Sequence, residues 1–124
     1  MSTSDRGATS AAELFDLLWD SLADVLGTAA TAIILRRAIQ QAALRAASAE
    51  RVVIVRNGLE YEYRVPEAWK ESGNGAAIDA LRGVAAALRV LLVELTGPVV
   101  VNVLGRLGPL RKWGIEFSDE VRHG

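Results

Sequence analysis

The sequence predicts a mainly α fold, α+β if one hairpin is counted: a compact bundle of four to five helices with a β-hairpin at 52–65. Three observations predict it. Apolar residues recur at gaps of three and four over 14–26 and again over 78–95, the repeat of a helix that buries one stripe. Between these regions the period changes from 3.6 to 2 over 51–65, around the pair Asn57-Gly58. Glycine stands at the breaks of the helical regions, at Gly27 and Gly97, where a chain leaving a helix needs a residue without a Cβ.

The first helix is expected to start at Ser10-Ala11-Ala12-Glu13, whose S-x-x-E spacing is that of a capping box. Leu14, Phe15, Leu18, Trp19, Leu22, Val25 and Leu26 fall on one side of its wheel, and Glu13, Asp16, Asp20 and Asp24 on the other. Gly27 stops it, Thr28 caps the next, and that second helix runs to about Ala49. Its best stripe, Thr28, Ala32, Leu35, Ile39, Ala42, Ala43 and Ala46, is built mostly of small side chains, so a neighbour can approach closely. Ile33 and Leu44 lie off that stripe.

Asn57-Gly58 suits a type I′ turn, which needs positive φ at both central residues. Pairing outward from Arg56 with Leu59 puts Val52, Ile54, Leu59, Tyr61 and Tyr63 on one face, and Glu60, Glu62, Arg64, Val53 and Val55 on the other. An isolated hairpin is marginal in water, so this one is expected to lie on the helices. Pro66 then opens a short helix over 67–71, and Ser72-Gly73-Asn74-Gly75 reads as a linker. Ile78, Leu81, Ala85, Leu88, Leu92 and Leu95 mark the seam of the next helix. Gly97 closes it, and Pro98 opens another that should end near Gly108-Pro109.

The stretch 84–104 carries only two charges, Arg89 and Glu94, and breaks at Thr96-Gly97-Pro98. Burying both charges in a bilayer would cost several kcal/mol each, so two helices turned at a glycine corner is the better account. A faint echo sets Leu18, Leu22, Gly27, Leu35 and Arg36 against Leu88, Leu92, Gly97, Gly105 and Arg106, seventy residues apart, with only Leu35/Gly105 failing to match. Both halves read as helix, corner, helix.

At 124 residues the chain fits one domain, expected over 10–110 with the hairpin at 51–65 inserted; 1–9 reads as a disordered arm and 111–124 as a partly disordered C-terminal arm holding Trp113, Ile115 and Phe117. No residue is cysteine, so there is no disulfide or thiolate site, and a cytoplasmic location is expected. Fourteen basic residues balance fifteen acidic ones, with no basic cluster longer than a pair. Nucleic acid is therefore not an expected partner.

Chemistry finds little footing. His123, the one histidine, stands next to the last residue, where nothing would orient it as a base for a serine or threonine nucleophile. Asp16, Asp20 and Asp24 form a ladder along one helix face; a solvated face, or one paired with Arg36, Arg37 or Arg45, explains it without a metal. Glu60 and Glu62, with Glu67 and Glu71, read as the wet side of a hairpin and its neighbour. Gly97, Gly105 and Gly108 match no phosphate-binding spacing. We expect no enzyme activity, no cofactor and no metal.

Surplus apolar surface remains. Ala86, Val90 and Val93 fall nearly opposite the seam of their helix, and valine and leucine point most ways after Pro98. The sequence therefore predicts a homo-oligomeric interaction, regulatory or adaptor module with Ile33, Leu44, Val90, Val93, Val100 and Val101 at its contact surface; its partner is itself or another protein. The alternatives are a small-molecule sensor with an apolar pocket between hairpin and helices, lined by Trp19, Tyr61, Tyr63 and Trp69, and a peripheral membrane protein.

Overall fold

A computed structural model describes residues 9–45, 52–112 and 115. Its elements are α1 (Ala11–Leu26), α2 (Thr28–Arg45), β1 (Val53–Asn57), β2 (Glu60–Arg64), the 3-10 helix Glu67–Lys70, α3 (Gly75–Thr96), α4 (Pro98–Gly105) and α5 (Gly108–Lys112). The fold is mainly α with one small antiparallel hairpin, as the periodicities predict. Residues 1–8, the expected end of the second helix at 46–49, Trp113, Phe117 and His123 lie outside the described residues.

The capping box forms at Ser10. Its hydroxyl accepts from the Glu13 N–H at 3.2 Å, and the Glu13 carboxylate accepts from the Ser10 N–H at 3.2 Å. Both donors would otherwise be orphaned at the helix start. The expected linker is tied down: Ser72 bridges to Ser10, and the Gly73 N–H donates to the Thr9 carbonyl at 3.2 Å. Asn74 then caps α3, its side-chain oxygen accepting from the Ala77 N–H at 3.1 Å. The N-termini of α1 and α3 consequently stand side by side.

α1 buries Leu14, Phe15, Leu18, Trp19 and Leu22, while Val25, expected on the same stripe, is exposed near the helix end. α2 buries Thr31, Ala32, Ile34, Leu35, Ala38 and Ile39, a broader face than the predicted stripe because it lies against α1, α3 and the hairpin together. Thr28, placed on that stripe, is exposed. Close approach of α2 and α3 is realised at Gly83, where an added Cβ would meet the Ala42 Cβ at 3.9 Å.

On α3 the seam holds from Ile78 through Leu92, joined by Val84, Ala87 and Leu91. Leu95 departs from it and is exposed, because the chain turns away at Gly97 before anything covers the last turn. Gly27 and Gly97 take nearly the same conformation, φ 88° and ψ 159° against φ 74° and ψ −169°. Each also donates its N–H to the carbonyl four residues back, Ala23 and Val93. The helix expected from Pro98 to near Gly108-Pro109 ends earlier, α4 stopping at Gly105, and Gly108-Pro109 begins a further helix, α5, where proline is tolerated because the first-turn N–H has no helical partner anyway. Arg111 and Lys112, assigned to the arm, belong to α5. Ile115 is buried, its N–H donating to the Leu110 carbonyl at 2.9 Å.

Candidate interaction surface

The six residues expected at a contact surface separate into three groups. Val100 and Val101 are corrected: both are buried in the chain's own core with Leu104, since α4 packs between α3 and α1. Ile33 and Leu44 are exposed on α2. Eleven residues of helix put about 16 Å between them, and the exposed Arg37 and Gln40 intervene, so they are single apolar points rather than a patch.

Val90 and Val93 are different. They are 53% and 39% exposed, and with exposed Ala86 they follow the i, i+4, i+7 spacing that holds all three within about 60° of one direction on α3. Charged residues border them: Asp79 and Arg82, paired at 2.6 Å, towards the start of the helix, and exposed Glu94 beyond Val93. An apolar centre with a polar rim is the anatomy of a protein contact. Sequence reasoning missed Leu95 and Val99, exposed on either side of the Gly97-Pro98 corner. Leu95 was assigned to the core seam by periodicity, and Val99 was lost among valines assumed equivalent.

Three of the four aromatic residues proposed as pocket lining pack on one another and on Phe15. Phe15, which was not singled out, stands at the centre: Tyr63 meets it edge-on at 5.0 Å, and Trp69 and Trp19 lie at 6.4 and 6.5 Å between ring centroids. Trp19 and Tyr63 are 4.7 Å apart. These are ring-packing distances, so Trp19, Tyr63 and Trp69 form core between α1, the hairpin and the 3-10 helix. Tyr61 stands apart, with the Arg56 guanidinium 5.9 Å from its ring centroid.

The acidic ladder acquires a neutral neighbour. The Tyr63 hydroxyl donates to the Asp16 carboxylate. Burial, then that hydrogen bond, then the charges of Asp16 and Asp20 hold the phenol well above its ordinary range. Each favours the neutral form, because ionisation would place a phenolate in a desolvated spot facing carboxylates. The salt-bridged alternative is not realised by Arg36, whose Nη2 donates instead to the Ile54 carbonyl at 2.9 Å. Among the described residues, no group of three histidine, cysteine, aspartate or glutamate side chains is placed to hold a metal, and no helix is long and apolar enough to cross a membrane. Comparison with family models, with curated proteins and with solved structures finds no match.

Proposed function

We propose that this chain is a non-enzymatic interaction module that associates with itself through the outer face of α3, with Ala86, Val90 and Val93 at the centre of the contact. The observation that carries the reading is the pair of half-exposed valines one turn apart, continued by Ala86, on a helix whose opposite side already fills the core. A helix apolar on two faces either is covered on both or offers one to a partner. The charged border at Asp79, Arg82 and Glu94 supports a defined contact, because it limits how far a partner can slide. A cytoplasmic setting belongs to the same reading and is supported by the cysteine-free composition.

Light scattering after size exclusion tests it. The wild-type mass should rise with concentration to that of a dimer or a larger closed oligomer. Val90→Lys should hold the protein at the monomer mass and melt at the temperature of the wild type diluted to its monomeric range, and Ile33→Lys on α2 should leave the assembly intact. A wild type that stays monomeric throughout the series removes the proposal.

A further inference from the structure

Between α2 and β1 lies a half-open cleft of about 190 Å³, lined by Arg36, Ile39, Gln40, Val52, Val53 and Ile54. Its floor is apolar, since Ile39, Val52 and Ile54 belong to the core. Its mouth is polar, with Arg36 and Gln40 exposed. Arg36 is the one formally charged side chain among these six, and no carboxylate of the described residues shares the lining. The hydrogen bond from Arg36 Nη2 to the Ile54 carbonyl fixes the guanidinium across the opening. That bond uses one of five N–H donors, so the group is oriented and still able to grip an anion.

We propose that this cleft binds a small monocarboxylate with a short aliphatic chain. Arg36 takes the carboxylate, Gln40 adds an amide donor at the rim, and Ile39, Val52 and Ile54 receive the chain. Charge and size select this class. A planar guanidinium matches a carboxylate through two parallel hydrogen bonds, and no other described residue of the lining carries charge. At about 30 Å³ per water the space holds roughly six waters, which suits four or five carbons and is below the usual size of a drug-like pocket. An extended peptide added to the free edge of β1 is the competing occupant. It would need the Ile54 carbonyl, which Arg36 already takes.

The site is separate from the outer face of α3, so it stands whether or not the chain self-associates. The test is a ¹⁵N-detected titration of the whole chain with sodium isovalerate at matched salt, alongside 3-methylbutan-1-ol as the uncharged analogue. Isovalerate should give saturable shifts centred on Arg36, Gln40 and Val52 to Ile54, with affinity in the millimolar range expected of so few atoms. The alcohol should bind about tenfold or more weakly for want of the charge-assisted pair. Gln40→Glu, at an exposed helical position, should weaken isovalerate by at least about the same factor without changing the melting temperature, because it sets a like charge at the mouth. Arg36→Gln should abolish the shifts. Absent or unsaturable shifts, or shifts that survive Gln40→Glu, overturn the proposal. So does a valine-rich extended peptide that shifts Val52, Ile54 and Arg56 while isovalerate shifts none of them.

Discussion

Tyr63 concentrates three demands in one side chain. Its ring packs on Phe15 and Trp19, its hydroxyl donates to Asp16, and its neutral form is favoured by burial and by the acids beside it. Tyr63→Phe keeps the ring and loses the hydrogen bond, which should destabilise the fold by about 1 kcal/mol, the usual net value for such a bond at a partly solvated position. The pH dependence has a definite sign. The folded chain keeps the phenol proton above the ordinary value of about 10, where the unfolded chain gives it up. The stabilisation is therefore whole below about pH 10 and is lost as pH rises from there through the raised value. Urea unfolding at several pH values should show the wild type losing its advantage over Tyr63→Phe above that point, and an advantage constant with pH would contradict this account. At this scale the sequence was half legible: alternation put Tyr63 on the inward face, but only the tertiary arrangement could show that it reaches Asp16, forty-seven positions away.

Within the elements, two glycines of α3 and its end should respond oppositely to the same substitution. Gly83 lies inside the helix, and its added Cβ would make an ordinary contact with Ala42, so Gly83→Ala should stabilise by about 0.5–1 kcal/mol through helix propensity. Gly97 sits at φ 74° and ψ −169°, a region that essentially only glycine occupies, and Gly97→Ala should cost about 1–3 kcal/mol. Thermal melts of the two variants check both signs. The hairpin shows where element-level reading slipped. The sequence suggested Arg56 opposite Leu59, whereas Asn57 pairs with Glu60 and Arg56 with Tyr61. Positive φ falls on Gly58 alone, the pattern of a type II′ turn, which leaves Leu59 at the tip and 92% exposed. Asn57 stays in the strand, its amide donating to Glu62 at 3.3 Å, and Arg56 fastens the turn by donating to the Gly58 carbonyl at 3.1 Å. Moving the pairing by two residues keeps every side chain on its face. Val52, Ile54, Tyr61 and Tyr63 therefore share a side as expected, while Leu59 is lost to the turn.

For the whole molecule, helix order, glycine corners and hairpin were legible because each rests on local periodicity and turn chemistry. The start of α5 was not, since Gly108-Pro109 suits a helix end or a helix start equally well and packing decides. The same limit governed the candidate surface. Val90, Val93, Val100 and Val101 look alike in a sequence, yet α4 turns its two inward and α3 turns its two outward. The α2–β1 cleft had no sequence signature, because Arg36 and Ile54 are eighteen positions apart and meet only in the fold.

Self-contact through α3 can be measured directly, because the chain has no cysteine of its own. Cysteine placed singly at Ala86, Val90 and Val93 is compared, under mild oxidation at low concentration, with cysteine at Leu59 on the hairpin tip. In a two-fold contact the residues nearest the axis face their own copies. A disulfide-linked dimer from at least one of the three α3 positions and none from Leu59 is the predicted result. No linked dimer from α3, or equal linkage from Leu59, would contradict the claim.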